Sequence, residues 1–111
     1  MSATVPPRAV AQAKITRYLL NPTHKLGGPK SVFFRAFGFS VDRWEIMAAA
    51  LAQHPDRNPV EKTISDRWGL TFVVRCNIKT PDRRNPCILS VWIVRPGRPD
   101  AEFVTAYPAA S

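Results

Sequence analysis

The apolar period of this chain changes near residue 60, and that change restricts the folds open to it. Up to about Gln53 apolar residues recur at spacings of three and four: Ile15, Tyr18 and Leu19; then Val32, Phe33 and Phe37; then Trp44, Met47, Ala48 and Leu51. From Leu70 to Ile78 they alternate, with Leu70, Phe72, Val74, Cys76 and Ile78 on one side and Thr71, Val73, Arg75 and Asn77 on the other. A helical stripe cannot present one face as a strand, nor an alternating stripe as a helix. Helices followed by strands predict an α+β domain with its helices on one face of a sheet.

Local signals set the expected boundaries. A first helix begins near Ala11 and stops at Asn21-Pro22, because a residue before proline is pushed out of the helical region. A second runs from Pro29, suited to a first helical position, to Phe37, with Val32, Phe33 and Phe37 as its buried stripe and Gly38 as a left-handed cap. Ser40 and Asp42 suit the start of a third helix, which reaches Gln53. The prolines of His54-Pro55-Asp56-Arg57-Asn58-Pro59 then predict a connector. Val60 to Ser65, Leu70 to Ile78, Cys87 to Arg95 and Glu102 to Tyr107 predict a four-stranded antiparallel meander. Residues 1–10, with Pro6-Pro7, predict a flexible tail, and residues 11–111 a single domain, which is what 111 residues at 45% apolar content can support.

Charge narrows the function. Sixteen Lys and Arg against eight Asp and Glu leave +8 at neutral pH, and Met1 to Val41 contains six basic residues and no acidic one. Such a surface attracts polyanions. Cys76 and Cys87 lie in apolar runs without CxxC spacing and read as reduced, buried thiols. No DxD, HxH or HExxH spacing suggests a metal, no GxSxG a hydrolase, and no GxxxxGK[ST] a nucleotide loop, so neither metal nor cofactor is expected. No apolar run reaches the roughly 18 residues of a membrane span, so we expect a cytoplasmic protein without a membrane partner.

Metal-free chemistry on RNA fits what remains. The 2′-hydroxyl can attack its own phosphate if one group takes its proton, another protonates the leaving oxygen, and cations steady the phosphorane. His24, in the polar loop Asn21-Pro22-Thr23-His24-Lys25, is a candidate base or acid. Lys30, Lys25 and Arg75 supply charge. If helices cover the Phe72 face, the opposite face is expected to carry Arg75, Asn77, Ser90, Trp92, Thr105 and Tyr107, a surface suited to a nucleic acid strand with aromatic stacking.

The run Tyr18-Leu19-Leu20-Asn21-Pro22, with His24, Gly28, Lys30, Phe33-Phe34 and Gly38-Phe39, resembles the opening of an uncharacterised bacterial domain family. It is also similar to the start of toxin domains from contact-dependent and polymorphic toxin systems. Phe103-Val104-Thr105-Ala106-Tyr107-Pro108 resembles the last strand of the same group. The resemblance extends to the barnase, EndoU, colicin and RelE-like ribonuclease superfamily. It implies helices before a four-stranded antiparallel sheet, and a metal-independent endoribonuclease toxin with catalytic roles at His24, Lys30, Thr105 and Tyr107. The RNA-binding set expected beside them is Lys25, Arg75, Asn77 and Trp92. The implied partners are tRNA, mRNA or ribosome-bound RNA and a small acidic antitoxin or immunity protein. Two alternatives stay open: a non-catalytic nucleic-acid-binding module, and an accessory protein with an acidic protein partner.

Overall fold

A computed structural model describes residues 5–110. The element order is β1 (Arg8–Ala9), α1 (Gln12–Lys14) widening into a π-helical turn over Ile15–Leu19, α2 (Gly28–Ala36), α3 (Trp44–Arg57), β2 (Val60–Asp66), β3 (Gly69–Asn77), β4 (Cys87–Val94) and β5 (Ala101–Pro108). The strands form one mixed sheet in the order β1-β5-β4-β3-β2, in which β2 to β5 make the antiparallel meander. The helices cover one sheet face. Ile15, Leu19, Phe34, Met47 and Leu51 bury there against Phe72, Val74, Ile88, Trp92 and Phe103.

The sheet has five strands, not the expected four. Arg8 and Ala9 pair in parallel with Ala101 and Glu102, and the Ala101 amide donates to the Pro7 carbonyl at 2.8 Å. Val5 is buried, and the Arg8 guanidinium donates to the carbonyls of Ala52 and Val5, each at 2.9 Å, and pairs with Asp56. Residues 5–10 are therefore docked where a flexible tail was expected; residues 1–4 lie outside the described residues. Two prolines weaken a tail's own structure but leave their carbonyls free to accept from a neighbouring strand.

Two helices also depart from expectation. In α2 the buried residues are Gly28, Ser31 and Phe34, while Val32 is 71% exposed and Phe33 and Phe37 pair at the margin with ring centroids 4.9 Å apart. The stripe is rotated by about one residue from the predicted one. Gly38 does end the helix, at φ 102°. α3 continues through His54-Pro55 to Arg57, since a proline in the last turn removes few intrahelical bonds.

Register decides the sheet faces. Phe72 pairs with Trp92 and Val74 with Ser90, so Trp92 and Ser90 share the helix-covered face, and both are fully buried. Alternation within β4 was readable, but its parity relative to β3 was not. A one-residue offset moves every side chain to the other face. The open face instead carries Thr71, Val73, Arg75, Leu89, Val91 and Ile93, all half-buried.

Candidate functional site

The site forms where β1 stops. β1 covers only Ala101 and Glu102, and farther along β5 the side chains of Lys14 and Tyr18 reach Val104 and Thr105. The Val91–Trp92 step of β4 pairs with Thr105 and Phe103, which leaves Val104 as the extra residue of a bulge. Its carbonyl accepts from Lys14 Nζ at 3.1 Å. The bulge restores Thr105 to the face opposite Ala106, where its Oγ1 lies 2.8 Å from Tyr18 Oη. Lys30, in the first turn of α2, donates to Tyr18 Oη and, at 3.1 Å, to Thr105 Oγ1.

Tyr18 reaches this point because of two local devices. The Leu20 amide bonds the Ile15 carbonyl at 2.8 Å, a five-residue closure that widens the turn. Gly27 then packs directly on Tyr18: a Cβ there would lie 2.0 Å from the Tyr18 carbonyl oxygen. Only a bare α-carbon lets the start of α2, and with it Lys30, come this close.

Tyr18, Thr105, Lys14, His24, Leu26 and Val104 line an open groove of about 470 Å³. No carboxylate is among these lining residues. Burial pushes the Tyr18 phenol upward, but the hydrogen bonds from Lys30 and Thr105 and the charges of Lys30 and Lys14 outweigh it and hold the group below its ordinary value. The arrangement makes the Tyr18 phenol more acidic than an isolated one and puts ammonium groups beside any negative charge it takes on, which suits a proton-transfer group in a cationic groove.

The structure brings four of the expected residues together. Lys30 and Thr105 touch directly, the Tyr107 ring centroid is 5.8 Å from Lys30 Nζ, and the His24 ring stands edge-on to Tyr18 at 5.0 Å. His24 Nδ1 accepts from the amides of Leu26 and Gly27 at 3.0 and 2.9 Å, so a neutral ring carries its hydrogen on Nε2. That ring braces the loop and offers a donor to the groove. Lys25 is exposed beside it.

The remaining three stand apart. Arg75 is aligned with Leu89 and Tyr107 across the sheet, about 10 Å from Tyr107 at ordinary strand spacing, and is held by Glu61 at 2.7 Å and by the Ala110 carbonyl at 2.8 Å. Asn77 is spent on the Asn85 carbonyl at 2.6 Å. Trp92 cannot stack a base, because it is fully buried, edge-on to Phe103 at 5.3 Å.

Sequence reasoning missed Tyr18, read there as a core residue, and Lys14. The available signal was their separation of four residues in an acid-free run, which places both on one helical face. It also missed a buried network. Trp92 Nε1 donates to Ser90 Oγ at 2.8 Å, the Ser90 hydroxyl to His54 Nδ1 at 2.7 Å, and His54 Nε2 to the Cys76 carbonyl at 2.7 Å. Every polar atom in that chain is paired when the ring carries its one hydrogen on Nε2, and burial lowers the His54 pKa.

Fold and site together define a small α+β domain with a lysine-flanked tyrosine at the open edge of its last strand. The chain belongs to the family described as "Domain of unknown function (DUF6883)", whose model matches residues 5–110. No curated protein sequence matches it significantly. Among solved structures, a chain of a contact-dependent growth inhibition toxin - immunity protein complex from Klebsiella pneumoniae 342 shares the fold, with a TM-score of 0.70 at 16% identity over 90% of this chain and 98% of that one. Among the described residues no helix is long and apolar enough to cross a membrane, and no group of three or more His, Cys, Asp or Glu could hold a metal ion.

Proposed function

We propose that the chain is a metal-independent endoribonuclease of toxin type. The observation that carries this reading is the Tyr18 phenol, held by Lys30 and Thr105 in a groove lined by Lys14 and His24. The fold shared with a chain of a toxin–immunity complex supports the toxin class, and so does the resemblance to the barnase-like ribonuclease superfamily.

In this mechanism the Tyr18 phenolate takes the proton of a 2′-hydroxyl. The O2′–P bond forms, and the P–O5′ bond breaks as Lys30 gives a proton to the departing oxygen. The proton gained by Tyr18 then returns to Lys30 along their hydrogen bond, which restores both groups. Lys14 and the His24 Nε2–H steady the non-bridging oxygens. Thr105 holds the phenolate, and Tyr107 offers a ring for an adjacent base. Lys25, exposed beside His24, extends the cationic surface along the RNA. A small acidic immunity or antitoxin protein would complement the same surface.

The test is total RNA incubated with purified protein in EDTA, followed by end mapping. Discrete fragments with 2′,3′-cyclic phosphate ends are expected, reduced by at least about 100-fold in Tyr18→Phe and in Lys30→Ala. Undiminished cleavage by Tyr18→Phe, or intact RNA, would refute the mechanism. Intact RNA whose gel shift weakens with salt would favour a binding module on the same groove, which the charge of +8 also fits. Intact RNA with no shift would point to an accessory protein with an acidic partner.

A further inference from the structure

The two cysteines are on neighbouring strands, one step apart in register: Cys76 pairs with Ile88, and Asn77 with Cys87. A cross-strand separation of about 5 Å and one residue of rise, about 3.4 Å, put their α-carbons roughly 6 Å apart, inside the range a disulfide spans. In a regular ladder such a diagonal pair would point to opposite faces. Cys76 breaks the rule, with φ at 146°, a conformation rarely adopted outside glycine. Its side chain is half-exposed, whereas Val74 and Ile78 on either side are fully buried. The departure takes Cys76 off the face that Val74 and Ile78 keep, and its thiol is near enough to Cys87 to raise the pKa of that group. Cys87 is 8% exposed and also reaches the Ala110 carbonyl at 3.6 Å.

We propose that Cys76 and Cys87 form a reversible intramolecular disulfide, with Cys76 as the accessible, attacking thiol and Cys87 as the resolving one. Glutathione disulfide is a sufficient oxidant. Cys76 thiolate attacks it and releases one glutathione; Cys87 thiolate attacks the Cys76 mixed disulfide and releases the second. Two protein thiols become one S–S bond, one glutathione disulfide becomes two glutathiones, and the protons pass to the released thiolates. Burial, with the neighbouring Cys76, pushes the Cys87 thiol up to about 11. Mixed-disulfide formation removes the charge that Cys76 would otherwise carry, and Arg75 beside the pair favours the Cys87 thiolate. The second step is thereby helped by the first. The bond would staple β3 to β4 beside the contacts that hold residues 109–110, just beyond Tyr107.

The experiment is oxidation of the native full chain over a series of glutathione redox ratios, with circular dichroism to follow the fold, alkylation of remaining thiols, intact mass and non-reducing peptide mapping. Expected are paired loss of both thiols, a Cys76–Cys87 peptide link that dithiothreitol reverses, and a higher melting temperature for the oxidised form. Cys87→Ser should stop at a glutathione adduct on Cys76. The proposal is overturned if folded wild type keeps both thiols alkylatable at every ratio, stops at a glutathione adduct, or forms only intermolecular links. Those wild-type outcomes need no variant to fold.

Discussion

Replacing Gly27 with alanine tests how the site is assembled. The new Cβ would meet the Tyr18 carbonyl oxygen at 2.0 Å, its carbon at 2.6 Å and ring atom Cδ1 at 2.8 Å. The first two are backbone atoms and cannot rotate aside, so either the widened turn or the start of α2 must move by more than an ångström. Moving α2 strains three hydrogen bonds: the Ser31 amide to the Gly27 carbonyl at 2.8 Å, the Gly28 amide to the His24 carbonyl at 2.8 Å, and the Gly27 amide to His24 Nδ1 at 2.9 Å. Overpacking of this kind costs about 1–3 kcal/mol. Each bond lost costs about 0.5–1.5 kcal/mol more. If one or two of the bonds break, destabilisation of about 1.5–6 kcal/mol follows. At roughly 4 °C per kcal/mol for a chain of this size, Tm should fall by about 6 °C or more. Urea unfolding and calorimetry would measure it. A Gly27→Ala protein that melts within about 2 °C of wild type would refute the close approach, and with it the account of how Lys30 meets Tyr18.

Stability should also fall in mild acid. Burial lowers the His54 pKa, so the unfolded chain binds the proton more readily; this contribution is complete above the ordinary value of 6.5 and is lost as pH falls below it. Urea midpoints between pH 8 and 5 should show the decline, and His54→Phe should flatten it. Acrylamide should quench Trp68, which is 61% exposed, and half-buried Trp44, and leave Trp92 shielded; quenching that survives unchanged in the double variant Trp44→Phe/Trp68→Phe would contradict the register of β3 and β4. Arg8→Ala should cost about 1–3 kcal/mol and selectively speed hydrogen exchange at the Ala101 amide, because Arg8 ties β1 to α3 through the Ala52 carbonyl.

The sequence carried information that acts along the chain and little that acts across it. The Phe72 and Val74 alternation, the Pro29 start and the Gly38 stop are local and match the structure, whereas Cys76, expected on the same face, leaves it at φ 146°. Trp92 was misplaced because its partner on β3 is chosen by the turn at 78–86, whose residue count does not reveal parity. β1 escaped because a two-residue parallel strand has no period to detect, and its partner lies 93 positions away. His54 was read as a connector from the proline after it, although its own environment is the interior. Lys30 and Thr105 were legible as chemistry-bearing residues. The phenol between them was hidden in an apolar stripe, where tyrosine passes as packing.

The hydrogen bonds from Thr105 back to Tyr18 and Lys30 span 87 and 75 residues. During synthesis the first third of the chain leaves the ribosome with its phenol and ammonium groups but without the strand that organises them. A nascent chain whose β5 is still in the exit tunnel therefore has no assembled site. If the groove is lethal to RNA, the ribosome making the protein is spared for as long as β5 is still inside it.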